Sequence, residues 1–442
     1  MEALAQHFTK TKLLKYTLPT MAMMFVSSAY TIVDGLFVSN LVGKTALASM
    51  SLIFPFVMIL SSLGIMMGAG GSAVVGQLLG AGDRKGANHA FSLIAWATFV
   101  TGAICAVFGF IFMDNVVVLL GASEEMVPLA STYGRIVFLS MPMFMLTYVF
   151  EMFCSVAGKP GLGFLSALTA GVVNIGLDAL FMGVSGMGIE GAAAATCLAE
   201  YSSAILMIVL FARGKAGALK LVRPCWDYRI LSRSITNGVS EMVSCAAVSV
   251  VAVAYNLQLM SLFGPDGVAA YAVIEYASML VGAALGGLAE GMAPLMSYQH
   301  GAGNNREKRS LFANGATLML LVGVSSCAVI QVLVQPLAFV FIGYDEGLMA
   351  LTVHAFRVYS IAFLLMGAAY FGSAMFTSVE NGKISALIAF IEILVFELGC
   401  VMLLPMFFGA DSIWWSIVVA EVAASIFTIG LLARYAKGYG WR

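Results

Sequence analysis

Apolar residues run through this chain in long blocks separated by short polar turns, and the blocks are long enough to cross a lipid bilayer. A spanning helix takes about 20 mostly apolar residues, and the turns divide the chain into twelve such runs. Their approximate limits are 13–39, 46–78, 88–112, 126–156, 161–184, 189–213, 230–263, 268–299, 310–341, 347–379, 384–408 and 412–435. The pattern predicts an all-α polytopic membrane protein, with the lipid bilayer as its solvent. Composition agrees: of 442 residues 61% are hydrophobic and only 10% charged, with a mean hydropathy of +0.97, outside the range of water-soluble domains. The net charge of -1 averages over charges gathered between the apolar runs, and nothing in it calls for a nucleic-acid partner.

Charge placement gives an orientation. With the N-terminus in the cytoplasm, Lys10, Lys12, Lys15, Arg84, Lys85, Lys159, the cluster from Arg213 to Arg233, Arg306, Lys308, Arg309, Lys383, Arg434, Lys437 and Arg442 all fall inside. Lys44 is then the single basic residue in an outer turn, and the outer turns FGPDG, IGYDEG, FGAD and GASEE are acidic. This bias satisfies the positive-inside rule and predicts a multi-pass protein of the cell (inner) membrane with both termini cytoplasmic. The lysines ahead of the first apolar run suit a signal peptide, but the run continues through Asp34 without a small-residue cleavage site, so it reads as a retained span. Seven scattered cysteines read as small packing residues, with neither a disulfide nor a metal role.

The longest polar stretch, RGKAGALKLVRPCWDYRILSR, lies near the middle. Laying the second half of the chain on the first, so that GAGN at 301–304 falls on GAGD at 80–83, also sets Gly264 on Gly43, Ala269 on Ala48, Ala420-Glu421 on Ala199-Glu200, and Arg434 on Arg213. Matches at one offset across nearly a whole half indicate an internal duplication. The organisation expected is residues 1–214 as an N-terminal six-helix lobe, 215–229 as a cytoplasmic linker and 230–442 as a C-terminal six-helix lobe. Six spans per half make the halves parallel, two bundles related by a pseudo-twofold axis along the membrane normal, as in secondary transporters that alternate access around a central cavity.

Charged side chains inside the spans narrow the reading further. Acids at Asp34, Glu151, Asp178, Glu200, Glu241, Glu275, Glu290, Glu392, Glu397 and Glu421 outnumber the two bases, Arg135 and Arg357. An acidic side chain at mid-bilayer costs roughly 2.5–3.5 kcal/mol on insertion scales. Internal salt bridges cannot cancel this surplus, so most of these acids must be protonated, wet or facing a cation. Asn174 and Asp178 are four residues apart and share a face of the fifth span, and Asp34 lies at a comparable depth of the first span. The three are expected to converge. Glu200 and Glu421, matched by the repeat, divide evenly between a structural and a functional role. Glu241 and Glu275 are candidates for substrate or ion contact, and Glu290 for the inner end of the cavity.

At this level the chain resembles the multidrug and toxic compound extrusion family, in its DinF-like branch. The likeness rests on Pro19 followed by VDGLFVSNLVGKTALA, on GAGD with Arg84 and Ala87, and on Tyr133-Gly134-Arg135. VAGKP, NIGLD, NGVSEMVS and PLMSYQHGAGN complete it over essentially all 442 residues. It implies an ion site in the first lobe made by Asp34, Asn174 and Asp178 with Thr196 and Tyr30, and it places Tyr133 beside that site. Relatives tend to carry an Asn on the fourth span where this chain has Glu151, which adds a third carboxylate. Three carboxylates close together cannot all stay ionised in a poor dielectric.

The function expected is a secondary active antiporter that exports organic, cationic and amphipathic compounds in exchange for H+ or Na+ by alternating access. Its partners would be the small-molecule substrate and the bilayer, its state a monomer, and its only cofactor the coupling ion, with no other metal. Export of a natural metabolite is the alternative. A flippase of a lipid-linked substrate in the same superfamily would need cationic groups in its cavity, and the spans offer only Arg135 and Arg357. An enzyme is not expected: there is no HExxH, no nucleophile elbow, no phosphate-binding loop, and His7, His89, His300 and His354 do not cluster.

Overall fold

A computed structural model describes residues 2–122, 124–342 and 345–442; Ser123, of the GASEE stretch, and Gly343 and Tyr344, of IGYDEG, lie outside the described residues. Twelve long helical segments follow one another. They are α1 (Lys10–Phe37, with a π-helical end Val38–Val42), α2 (Lys44–Gly80), α3 (Arg84–Leu119), α4 (Met126–Val156), α5 (Pro160–Asp178, with a π-helical end Ala179–Val184) and α6 (Gly188–Ala212). The second half repeats the series with α7 (Tyr228–Phe263), α8 (Pro265–Gly301), α9 (Asn305–Ile342), α10 (Glu346–Tyr359 and Phe363–Ser378, joined by a 3-10 turn), α11 (Gly382–Ala389 and Leu398–Phe408, joined by π-helix Phe390–Glu397) and α12 (Ile413–Tyr439). Each is long and apolar enough to cross a membrane, α7 and α8 as one 74-residue stretch broken at Gly264. Ile104, Ile111 and Phe112 on α3, like Val332 and Phe339 on α9, are exposed apolar side chains within the helices; in lipid that surface is satisfied without further packing.

The duplication shows in the backbone. Gly43 (φ 115°) and Gly264 (φ 66°), matched by the repeat, turn the chain from the first to the second helix of each half. Both sit at positive φ, which a residue with a Cβ resists.

The chain divides into two compact units, though not at the polar stretch. The first comprises residues 1–6, Ala22–Gly238 and Gly301–Gly303; the second comprises His7–Met21, Val239–His300 and Asn304–Arg442. Residues 215–229 therefore belong to the first unit, and α1 changes unit between Met21 and Ala22, just after Pro19. In the first unit the start of α7 seats on α2, where a Cβ on Gly70 would run into Ser234 and Gly238. In the second unit the start of α1 seats on α8, where a Cβ on Gly291 would lie 2.9 Å from Thr17. The offset of the repeat maps Gly70 onto Gly291 and Thr17 onto Gly238, so these are one packing arrangement used twice.

Within the first unit α4 is the hub, packed against α2, α3 and α6. Glycines admit it: a Cβ on Gly64 of α2 would lie 2.7 Å from Met145, and one on Gly102 of α3 would lie 2.5 Å from Pro142. Small residues of this kind are what let membrane helices approach closely. This packing carries the inward face of α4, with Tyr133 and Glu151, to the site.

Candidate cation site in the first unit

Asp34 and Asp178 come together. Each is buried, at 6% and 0% exposure, and their carboxyl groups face one another within hydrogen-bonding reach. Two carboxylates can only accept, so the contact becomes a hydrogen bond when one of them carries a proton. Both oxygens of Asp178, Oδ1 of Asp34 and Oδ1 of Asn174 are buried without a hydrogen-bond donor. Asn174 lies one turn before Asp178 on α5 and donates through Nδ2 to Thr196 Oγ1 on α6 at 3.4 Å, a long contact that still points the Oδ1 oxygen away from Thr196.

The helix ends around this group are unusual. A π-helical stretch begins at Val38, four residues after Asp34, and another begins at Ala179, directly after Asp178. Such turns are rare and concentrate at functional positions. Tyr133 is close enough to both carboxylates to interact electrostatically, but its ring is buried in an apolar cluster with Val38, Ile53, Met113, Phe138 and Met182. It forms a wall of the group.

Glu151, on the part of α4 that faces α1 and α6, lines a cavity of about 20 Å³ with Ser27, Tyr30, Thr147, Tyr148 and Glu200, room for a water molecule. Tyr30, one turn before Asp34, bridges the two groups, since Asp34, Glu151 and Glu200 all act on it electrostatically. The ring of Tyr30 rests on Gly171 of α5, where an added Cβ would lie 3.4 Å away. Tyr30 and Thr147 lie within hydrogen-bonding reach of the Glu200 carboxylate, whose Oε2 is buried with no partner.

Glu200 is thus a site residue that sequence reasoning left undecided, and its repeat match to Glu421 was the available signal. Arg135 is committed elsewhere, in an ion pair with Asp114 at 2.6 Å. The remaining candidates lie in the second unit. Glu241 of α7 and Glu290 of α8 face each other near Cys245, while Glu275 accepts a hydrogen bond from the Tyr271 hydroxyl at 3.0 Å and neighbours Glu397. Tyr133 belongs to the first unit, and Glu241, Glu275 and Glu290 belong to the second.

Among the described residues no three His, Cys, Asp or Glu side chains converge as a metal-ligating group. What the first unit offers is a set of orphaned acceptors, each costing about 1–3 kcal/mol if left unmet, and a proton or one monovalent cation meets them with the right charge.

The MatE family profile matches residues 19–180 and again 242–401. The two matches end at equivalent points of the repeat, since residue 401 falls on residue 180 when Gly301 falls on Gly80. The chain belongs to the MatE family. As a MatE protein it is a multi-pass membrane transporter and not an enzyme. Similar curated proteins include the multidrug export protein MepA of Staphylococcus haemolyticus (strain JCSC1435), 23% identical over 93% of this chain and 91% of that protein. MepA of Staphylococcus aureus (strain MSSA476) is 24% identical over 92% and 90%. Among solved structures, a MATE in complex with MaL6 superposes with a TM-score of 0.94 at 21% identity, covering 99% of this chain and 98% of that one. An outward-facing multidrug resistance MATE transporter of the MOP superfamily gives 0.93 at 21% identity over the same shares. These likenesses bear on the fold.

Proposed function

We propose that this MatE protein is a secondary antiporter of the cell membrane that exports organic, cationic and amphipathic compounds in exchange for H+ or Na+. The observation that carries the reading is the buried Asp34–Asp178 pair, three of whose own oxygens, together with Asn174 Oδ1, lack a donor. Such a pair is stable when it holds one positive charge and self-repelling when it holds none. Loading and unloading a cation therefore changes how α1 and α5 pack. Pro19 interrupts the hydrogen-bond ladder of α1 below Asp34, so α1 can bend there in response. By linkage, cation and substrate weaken one another's binding by the same factor, and that reciprocity is what couples inward cation flow to outward export.

The names of the MepA relatives support the export of drugs. The acidic surplus supports a cationic substrate, and 28 Met with 30 Phe support a pliable apolar pocket. In this reading both termini are cytoplasmic, the chain works as a monomer, and no cofactor beyond the coupling ion is needed.

The test is transport of ethidium, a planar organic cation, in proteoliposomes under an imposed pH or Na+ gradient. Asp34→Asn and Asp178→Asn are each expected to abolish gradient-driven export with protein abundance unchanged. Export at the wild-type rate in both variants would remove the reading.

A further inference from the structure

Within the first unit, residues 215–227 between α6 and α7 are irregular yet firmly held. Ala216, Ala218 and Leu219 are buried. Ala218 donates its amide N–H to the Ala157 carbonyl at 3.0 Å, and Leu221 donates to the Phe211 carbonyl at 3.2 Å. The segment then climbs α3 in steps of one turn. Arg84 Nε donates to the Ala218 carbonyl at 3.2 Å, Asn88 Oδ1 accepts from Lys220 N at 2.9 Å, and Ser92 Oγ accepts from Val222 N at 2.9 Å. Last, the rings of Trp96 and Trp226 meet edge to face at 6.2 Å. Positions 84, 88, 92 and 96 share one side of the helix, and the ascent covers about 18 Å.

The climb ends at a chemically distinct depth because α3 is longer than the bilayer interior. Its 36 residues run about 54 Å against roughly 30 Å of hydrocarbon. The first turns therefore stand among headgroups, and the indole pair lies near the edge of the acyl region, where Trp concentrates. Both rings remain open, Trp96 at 47% and Trp226 at 69% exposure. Beside them Lys220, Arg223 and Arg229 are exposed cations. Arg229 is aimed by its neighbour: the guanidinium lies 5.9 Å from the centre of the Tyr228 ring, and Nε donates to the Tyr228 hydroxyl at 3.4 Å. Asp227, the single acid between residues 213 and 233, accepts from the Arg229 amide at 2.9 Å. Asp83, ahead of α3, is spent in the same way on the Gly86 amide. Deeper along the Trp96 side of α3 come Ile104, Val107 and Ile111, all exposed. Cations, then indoles, then bare hydrocarbon surface follow one another in that order.

We propose that this surface binds an anionic phospholipid of the adjoining leaflet. Its phosphate meets Lys220, Arg223 and Arg229, its glycerol region lies against Trp96 and Trp226, and an acyl chain runs along Ile104, Val107 and Ile111. The order of the three zones selects an amphiphile over a nucleic acid or an acidic peptide, since the apolar track suits a chain of methylenes and offers nothing to a further charge. Lipid held there pins residues 215–227 and, through them, the start of α7 against Gly70. The site is independent of the cation that drives transport.

The experiment counts lipids bound to the full-length protein in detergent by native mass spectrometry, titrating dioleoylphosphatidylglycerol against dioleoylphosphatidylcholine. Joint Arg223→Gln and Arg229→Gln substitution is expected to weaken phosphatidylglycerol binding about thirty-fold and to leave phosphatidylcholine binding unchanged. Trp226→Ala is expected to weaken both lipids. Should the double variant fail to fold, Lys220→Gln carries the comparison with a loss of about five-fold. Undiminished preference for phosphatidylglycerol in the folded variants would overturn the proposal, as would displacement of the lipid by inorganic phosphate, the mark of a site for free anions. Asp34→Asn is expected to bind the lipid as the unaltered protein does, so failure of the antiport reading leaves this result standing.

Discussion

At the scale of single residues the first-unit site is a matter of acceptors. Asn174 and Asp178 are one turn apart, so their sharing of a face could be read from the spacing alone, and Asp34 could be matched to them by depth in its span. The Glu151–Glu200 cavity was out of reach of such arguments, because it needs α1, α4 and α6 to meet and the Tyr30 ring to settle on Gly171. No local pattern in the sequence encodes that meeting. The Asn174–Thr196 contact of 3.4 Å is at the long limit for a hydrogen bond. Thr196→Val is therefore expected to weaken cation binding by only a few-fold, about 1 kcal/mol or less, where Asp178→Asn removes binding altogether. Calorimetric titration of the purified variants with the coupling cation separates the two outcomes, and equal losses would mean that Thr196 is itself a ligand.

At the scale of helices, the twelve apolar runs were legible because the bilayer allows few alternatives to a continuous helix. The interior irregularities were not. The π-turns after Asp34, after Asp178 and between Glu392 and Glu397 carry no Gly or Pro marker at their centres, since they answer to packing rather than to propensity. Close packing also sets what the helices tolerate. Gly102→Ala would press a methyl to 2.5 Å from the Pro142 Cα, and overpacking of this kind costs typically 1–3 kcal/mol. A lowered melting temperature in detergent is the expected result; an unchanged one would show that α3 can shift away from α4. Pro19 works in the opposite sense. Pro19→Ala restores a backbone donor inside α1 and should stabilise the helix by about 3 kcal/mol, raising the melting temperature while slowing ethidium transport. Faster transport with the straightened helix would argue against a bending role.

At the scale of the whole molecule the duplication was visible as scattered matches at one offset, and the twofold profile match places it beyond coincidence. What the matches could not reveal is how the halves are shared out. Residues 7–21 group with the second unit and residues 228–238 with the first, because the glycines that receive them, Gly291 and Gly70, lie on helices of the other half of the chain from the segment they receive.

The exchange of segments bears on how the protein could be taken apart. A polypeptide ending at residue 214 would lack the strap that closes over Gly70, and one beginning at 215 would lack the strap that closes over Gly291. Neither fragment is expected to accumulate when made alone, whereas the two made together in one cell should reassemble and regain transport. Independent folding of either piece, seen as a monodisperse peak on size-exclusion chromatography, would show the straps to be dispensable. A duplicated gene that trades straps in this way has made each of its descendants hostage to the other, and later loss of one copy is closed off.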